Sequence, residues 1–119
     1  MKILVVDDDK MLLTAIAHYL KSSKIEVLQA ENSLQALDIL ENQNKNIGLI
    51  LCDILMPGAS GLDFLSLLKS FYLEKIPIII ISSLGKSEII ASSKKLGAVD
   101  YLKKPLNFKE LGDLVKKYI

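Results

Sequence analysis

Acidic residues follow two apolar segments of this sequence, at the points where the segments end. These residues are Asp7, Asp8, Asp9 and Asp53. Two carboxylates about 4 Å apart repel each other by about 4 kcal/mol at an effective dielectric constant of about 20. A cluster of such groups is therefore typical of a site that holds a cation or keeps one carboxyl group protonated.

The residue types near this cluster indicate which cation would bind. Cys52, the one cysteine, is interpreted as a small buried hydrophobic residue, and His18, the one histidine, lies in a predicted helix and is assigned no chemical role. The remaining ligands are oxygen atoms, which favour Mg²⁺ or a similar hard cation such as Mn²⁺. A metal held by few carboxylates keeps coordination positions for water and for a phosphate group, so the pattern is compatible with phosphoryl transfer.

Hydroxyl and amino groups follow two further apolar segments. They belong to Ser82, Ser83, Lys103 and Lys104. All 15 basic residues of the chain are lysines. Because arginine supplies bidentate contacts to phosphate and carboxylate, this chain offers such groups point-charge contacts instead.

Five apolar runs alternate with five helical patterns along the chain. The runs are residues 3–6, 25–28, 49–52, 78–81 and 99–102. Continuous leucine or β-branched runs are typical of strands that are buried on both faces of a parallel sheet. The alternation of Ile25 and Val27 favours an edge strand for the second run.

Polar and small residues mark the ends of the predicted helices. Asn32 or Ser33 is expected to cap the second helix, and Asn107 is expected to cap the fifth. Gly97 is expected to end the fourth helix, and Pro57-Gly58 to break the chain after the third strand.

Five β–α units in this order predict an α/β fold with one domain over residues 1–119. The expected arrangement is a flavodoxin-like (βα)5 doubly wound parallel sheet with strand order 2-1-3-4-5. Ligands of such sheets bind beyond the carboxyl ends of the strands. The residues predicted to meet at that edge are Asp7, Asp8, Asp9, Asp53, Ser82, Ser83, Lys103 and Lys104.

Composition limits the class of protein. Half of the residues are apolar, 24% are charged and the formal net charge is +1, which is ordinary for a globular protein and provides no bulk attraction to nucleic acid or membrane. A single cysteine excludes an internal disulfide, and no apolar run approaches the roughly 20 residues of a membrane helix. The apolar start of the chain is too short for a signal peptide. We expect a cytoplasmic protein that binds neither nucleic acid nor membrane directly.

The motifs together resemble the receiver domain of bacterial two-component response regulators, the CheY-like family. The resemblance covers the whole chain. It is carried by VVDDD at the first strand, LILCDILMPGASGLDFL around Asp53, IIIISS at the fourth strand and DYLKKPL at the fifth.

The resemblance implies a role for each matching residue. Asp53 would accept a phosphoryl group, Ser82 would be the switch hydroxyl and Lys104 the cation that binds the phosphoryl oxygens. Tyr101 would be the switch aromatic, and the Lys104-Pro105 peptide bond would be cis. The metal would bind to Asp7, Asp8, Asp53 and the backbone carbonyl of Leu55.

The resemblance also implies the partners. A sensor histidine kinase or phosphotransfer protein would donate the phosphoryl group. The face formed by helix 4, strand 5 and helix 5 would then shift and control a downstream target or a covalently linked output domain. The chain would be no enzyme beyond catalysing its own phosphorylation and slow dephosphorylation.

Two departures from relatives carry expectations. The residues two positions past the acceptor and past the switch hydroxyl, Leu55 and Leu84, are apolar and cannot orient an attacking water. We therefore predict slow loss of the phosphoryl group. The absence of arginine argues against the arginine-based dimer of many relatives, while another phosphorylation-dependent dimer stays open.

Alternative interpretations stay open as well. Asp9 is interpreted as a helix N-cap, Asp53 can be a turn residue, Ser82 a loop hydroxyl and Tyr101 a packing residue. The spacing of Asp7 and Asp9 faintly resembles phosphatases of the haloacid dehalogenase type, although Met11 stands where those have another pattern. A degenerate receiver that binds partners without phosphorylation is a third reading, which the intact set of site residues disfavours.

Overall fold

The computed structural model describes residues 2–43, 46–54, 61–71, 76–83 and 87–119. Strands and helices alternate along these ranges. The elements are β1 (Lys2–Val6), α1 (Lys10–Lys21), β2 (Glu26–Ala30), α2 (Ser33–Gln43), β3 (Ile47–Asp53), α3 (Gly61–Phe71), β4 (Ile78–Ser82), α4 (Ser87–Lys95), β5 (Asp100–Lys103) and α5 (Phe108–Tyr118).

The strands form one 5-stranded parallel sheet in the order β2-β1-β3-β4-β5. The predicted flavodoxin-like fold and its strand order are therefore confirmed. Val6 pairs with Cys52 across β1 and β3, so the residues that follow them, Asp7 and Asp53, lie side by side. Ser82 pairs with Lys103 at the same edge.

The sheet separates two hydrophobic core clusters. One cluster joins the sheet to α1 and α5 through Ile16 and Leu111, and the other joins it to α2 and α3 through Leu40 and Leu68. Successive strand residues point to opposite faces, so a continuous apolar run supplies both clusters at once. This explains why β4 is buried at every residue.

Strand β2 lies at the edge of the sheet, as the alternation in its sequence predicted. Its position differs from the expected 25–28 by one to two residues. The backbone N–H of Ile25 donates to the carbonyl of Leu20 at 3.4 Å, so Ile25 belongs to the turn that follows α1. The strand pairing therefore begins at Glu26 and continues to Ala30.

Side chains and one glycine fix the helix ends. Asn107 accepts a hydrogen bond from the N–H of Glu110 at 3.1 Å, which confirms its cap. The side chain of Asn32 accepts from the N–H of Gln35 at 2.9 Å, so Asn32 rather than Ser33 caps α2. Gly97 follows α4 with φ 106°, a conformation that favours glycine.

The break expected at Pro57-Gly58 lies outside the described residues. None of the helices in the described ranges has both the length and the apolar character that a bilayer crossing requires.

Candidate functional site

Asp7 and Asp53 are held by the strands that precede them. The ladder of hydrogen bonds continues past both strand ends, with the N–H of Asp7 donating to the carbonyl of Ala30 at 3.0 Å and that of Ile54 to the carbonyl of Ile81 at 3.2 Å. The exposed fraction is 0% for Asp7 and 4% for Asp53. Two carboxylates are thus fixed and buried at the carboxyl edge of the sheet, where burial of an uncompensated charge is costly.

Lys104 supplies the compensating charge. Its Nζ lies 2.8 Å from Asp7 Oδ2 and 3.2 Å from Asp53 Oδ2. Its backbone N–H donates to the carbonyl of Ser82 at 2.9 Å, which fixes the start of the side chain. Burial by itself lowers the pKa of Lys104, but the contact with Asp7 and the charges of Asp53 and Asp7 outweigh it and raise the pKa above 10.5. The ammonium group therefore stays charged at neutral pH.

Asp8 completes a group of three carboxylates. One oxygen from each of Asp7, Asp8 and Asp53 lies within 4.8 Å of the others, and Asp8 is exposed. Asp7 Oδ1 accepts a hydrogen bond from the N–H of Asp9 at 2.9 Å. The buried Asp7 Oδ2 accepts no well-angled hydrogen bond within the described part of the chain, and its charge is met by Lys104. Hard oxygen donors with an unused buried lone pair fit a divalent cation such as Mg²⁺.

Asp9 has a separate structural use. Its Oδ1 accepts from the N–H groups of Met11 at 3.0 Å and Leu12 at 3.2 Å, which confirms it as the N-cap of α1. The paired use of Asp7 and Asp9 that a haloacid dehalogenase site needs is therefore disfavoured, because the Asp9 carboxylate is turned to the helix.

The switch candidates lie at the expected strands. Ser82, the last residue of β4, is fully buried, whereas Ser83 is exposed. Tyr101 is half-buried and packs against the core cluster beneath α2 and α3. The Lys104-Pro105 peptide bond is cis, as the resemblance implied. Two other residues with expected roles, Leu55 and Leu84, lie outside the described residues.

Cys52 precedes the candidate acceptor in β3 and is buried. Burial raises the pKa of its thiol well above the ordinary range, and the charges of Asp53 and Asp7 raise it further. The thiol is therefore protonated and a poor nucleophile, in agreement with its interpretation as a small hydrophobic residue.

A groove beside the site was not expected from the sequence. It has a volume of about 640 Å³ and runs between α1 and the start of α5, with Ala15, Leu106 and Phe108 in its lining next to Lys104. Met11 also lines it and is 83% exposed. The signal in the sequence was Met11 itself, an apolar residue two positions after Asp9 on an exposed face of α1.

Comparison with known proteins decides which family has this geometry. Residues 3–116 match the family described as response regulator receiver domain. The chain belongs to the response regulator receiver family. Receiver domains of this CheY-like type are signalling domains of two-component systems.

Relatives of this receiver domain differ in length. Sporulation initiation phosphotransferase F of Bacillus subtilis is 36% identical over 118 residues, which cover 99% of this chain and 93% of that protein. Transcriptional regulatory protein CpxR of Escherichia coli K12 is 36% identical over 110 residues, which cover 92% of this chain and 45% of that protein. The chain therefore spans nearly all of one relative and less than half of another.

Solved structures of receiver proteins superpose closely on this one. A response regulator receiver protein from Pseudomonas putida has a TM-score of 0.91 at 34% identity, with 98% of this chain and 95% of that chain covered. A receiver domain protein from Clostridium thermocellum has a TM-score of 0.90 at 31% identity, with 99% and 93% covered. The sheet, the helices and their order are thus those of the family.

Proposed function

We propose that this receiver domain accepts a phosphoryl group on Asp53 from a phosphohistidine of a sensor histidine kinase or phosphotransfer protein. The observation that carries the proposal is the position of the Lys104 ammonium, 2.8 Å from Asp7 and 3.2 Å from Asp53 at the carboxyl edge of the sheet. A relative that is 36% identical is named as a phosphotransferase, which supports the same chemistry.

Asp53 is a better candidate for the nucleophile than Asp7. Asp7 is wholly buried, and its Oδ1 already accepts the N–H of Asp9, whereas Asp53 keeps 4% of its surface exposed. In the transfer, an oxygen of Asp53 forms a bond to phosphorus while the bond from phosphorus to the donor's imidazole nitrogen breaks. The electron pair of the broken bond leaves with the imidazole.

Lys104 would stabilise the charge that gathers on the phosphoryl oxygens. Its raised pKa keeps it cationic, and its Nζ already lies within 3.2 Å of an oxygen of Asp53. A preorganised cation near the developing charge lowers the barrier without reorganisation at the moment of reaction. Ser82, buried at the end of the neighbouring strand, is proposed to bind a second phosphoryl oxygen.

Asp7, Asp8 and Asp53 are proposed to hold Mg²⁺ or Mn²⁺, together with the backbone carbonyl of Leu55. The ion would supply charge neutralisation between the acceptor carboxylate and the anionic phosphoryl group. The chain's own contribution is the fixed spacing of the three carboxylates, whose oxygens lie within 4.8 Å of one another.

The phosphoryl group is proposed to act through the face formed by α4, β5 and α5, with Tyr101 as the switch aromatic. New contacts from Ser82 and Lys104 to the phosphoryl group would supply the free energy that favours the active conformation. The output would be a downstream protein or a linked domain in the cytoplasm, since this domain is proposed to contact neither nucleic acid nor membrane.

The test is the intact mass of the protein after incubation with acetyl phosphate and Mg²⁺. We expect a gain of one phosphoryl group, which is lost in Asp53→Asn and in wild-type protein with excess chelator. Asp38→Asn, which changes an exposed carboxylate on α2, is the matched control and should gain the full mass. A gain that persists in Asp53→Asn, or no gain in folded wild-type protein, would overturn the proposal.

A further inference from the structure

The side chain of Tyr118, in the last turn of α5, reaches the start of β5. Its hydroxyl lies 3.3 Å from the carbonyl oxygen of Val99 and 3.4 Å from Asp100 Oδ2. The other carboxylate oxygen of Asp100 accepts a hydrogen bond from the N–H of Tyr101 at 2.9 Å. The end of the last helix is therefore tied to the first residue of the last strand and to the residue before it.

The opposite end of β5 is tied to the phosphoacceptor site. Lys104 directly follows the strand, and its backbone N–H donates to the carbonyl of Ser82 at 2.9 Å. Its ammonium group contacts Asp7 and Asp53. Strand β5 thus lies between the site at one end and Tyr118 at the other.

Strand β5 is well placed to move as a unit. It has four residues and lies at the edge of the sheet, where it pairs with β4 alone. An edge strand is hydrogen-bonded along one side, so a small displacement strains fewer hydrogen bonds than the same displacement of an interior strand. A shift at the Lys104 end would therefore reach Asp100.

The Tyr118 contacts are weak enough to respond to such a shift. Most O–H···O hydrogen bonds have oxygen separations of about 2.7–2.8 Å. The separations here are 3.3 and 3.4 Å, and one hydroxyl proton is shared between two acceptors. The aromatic ring remains packed against the α1 and α5 core cluster in either case. Loss of the hydrogen bonds would therefore loosen the helix end without displacing the ring.

We propose that the Tyr118 hydroxyl couples phosphorylation of Asp53 to the last turn of α5. The phosphoryl group draws Lys104 toward it, β5 follows, and the hydroxyl loses its contacts with Val99 and Asp100. The last turn of α5 then opens more often, which presents a different surface to any partner that binds there. The inference rests on the proposed phosphorylation of Asp53. It adds Tyr118 as the residue that transmits the change and the last turn of α5 as the surface that changes.

The test is amide hydrogen exchange of residues 115–119, measured with and without acetyl phosphate and Mg²⁺ in the wild type and in Tyr118→Phe. Coupling free energies between sites correspond to factors of about 5–150. In the wild type we expect phosphorylation to speed exchange in this turn by about fivefold or more. In Tyr118→Phe we expect fast exchange already without phosphorylation and a change of less than about twofold with it.

Tyr19→Phe is the matched control, because it removes a hydroxyl from the same face of the sheet without touching β5. It should behave as the wild type, and intact mass should show the phosphoryl group in all three proteins. Tyr118→Phe removes one polar atom from a half-buried ring, so we expect it to fold. The inference is overturned if Tyr118→Phe responds like the wild type, or if phosphorylated wild-type protein shows no change in this turn. A missing mass gain would instead overturn the proposed function, and this inference with it.

Discussion

At the scale of single residues, the site depends on one ammonium group that serves two buried carboxylates. The Lys104 side chain is 24% exposed, while the side chains of Asp7 and Asp53 are 0% and 5% exposed. Removing the cation from such a set leaves two buried carboxylates without its compensating charge, which costs more than the pair itself contributes. Lys104 therefore stabilises the unphosphorylated fold as well as serving the proposed chemistry.

Replacing Lys104 by methionine should lower the free energy of unfolding by about 1–2 kcal/mol, less than the 3–5 kcal/mol of a fully buried pair because solvent reaches the ammonium group. The pKa of Lys104 is raised on folding, so the folded state binds its proton more tightly than the unfolded state does. Its contribution is fully present below pH 10.5, the ordinary value, and is lost as pH rises through the folded pKa.

Urea titrations of wild type and Lys104→Met at several pH values would measure this difference. The two curves should run parallel from neutral pH to about pH 10 and then converge. Cys52 and the tyrosines are present in both proteins, so their ionisation cancels. Parallel curves through the whole alkaline range would contradict the assigned role.

Leu55 and Leu84 should determine how long the phosphoryl group stays on Asp53. A polar side chain at these positions can orient or deprotonate water, so Leu55→Asn combined with Leu84→Glu should speed its loss by roughly tenfold or more. The decay of the phosphorylated mass after removal of acetyl phosphate measures the lifetime. Leu34→Asn, at an exposed leucine of α2, should leave it unchanged. An unaltered lifetime in the double variant would refute the prediction.

Most of the polar site residues that the sequence indicated share a simple property, since they lie just after apolar runs. In a parallel sheet this position places Asp7, Asp53 and Lys104 at the same edge, and the long side chain of Lys104 then reaches across β4 to both carboxylates. The contact of Tyr118 with Asp100 could not be predicted in this way. It joins residues 18 apart across a helix and a strand, and depends on where α5 ends relative to β5.

At the scale of elements, caps and turns decide where the helices end. Lys24, in the turn between α1 and β2, has φ 60°, the left-handed region that costs an ordinary residue about 1–2 kcal/mol. Its N–H donates to the carbonyl of Lys21 at 3.0 Å, so the turn requires this conformation. Glycine adopts it without the steric cost.

Lys24→Gly should therefore raise the free energy of unfolding by about 0.5–1 kcal/mol, since relief of strain exceeds the added entropy of the unfolded chain. Thermal unfolding followed by circular dichroism would measure the change. Lys21→Gly, three residues earlier and within α1, removes the same charge and should destabilise the protein. Destabilisation by Lys24→Gly would show that the Lys24 side chain contributes more to stability than the relief of backbone strain provides.

Every strand could be predicted from its apolar run, because each strand contributes side chains to both core clusters. The runs did not predict the residues at which the strands begin and end. Strand pairing extends to wherever a neighbour is available, as β3 shows by starting at Ile47 rather than at Leu49. Asn32 and Ser33 are both common capping residues, so the sequence alone did not decide between them. The hydrogen bond from the N–H of Gln35 to the side chain of Asn32 decides it.

At the scale of the whole molecule, the fold brings three carboxylates together at the carboxyl edge of the sheet, where a bound metal cation would balance their negative charge. Asp8 is exposed and contributes one oxygen to the group of three carboxylates. The negative charge of Asp8 repels the negative charges of Asp7 and Asp53 in the metal-free protein. Stability should therefore rise on metal binding, since a ligand that binds the folded state alone stabilises it.

Mg²⁺ at about 100 times its dissociation constant should raise the free energy of unfolding by about 2.7 kcal/mol. Asp8→Asn should be more stable than the wild type without metal and should lose most of the metal-dependent gain. Melting temperatures with Mg²⁺ and with chelator would show both effects. Asp38→Asn is again the matched control, and a full metal response in Asp8→Asn would exclude Asp8 as a ligand.

The buried thiol of Cys52 has a consequence for the signal that the domain carries. Oxidation of cysteine begins when a thiolate attacks a peroxide or a disulfide, and the raised pKa of Cys52 leaves almost no thiolate in the folded protein. A sulfur atom directly beside the proposed phosphoacceptor is thus protected from oxidants in its surroundings. The domain would keep reporting its kinase's input through a burst of oxidant that inactivates proteins with exposed, acidic thiols.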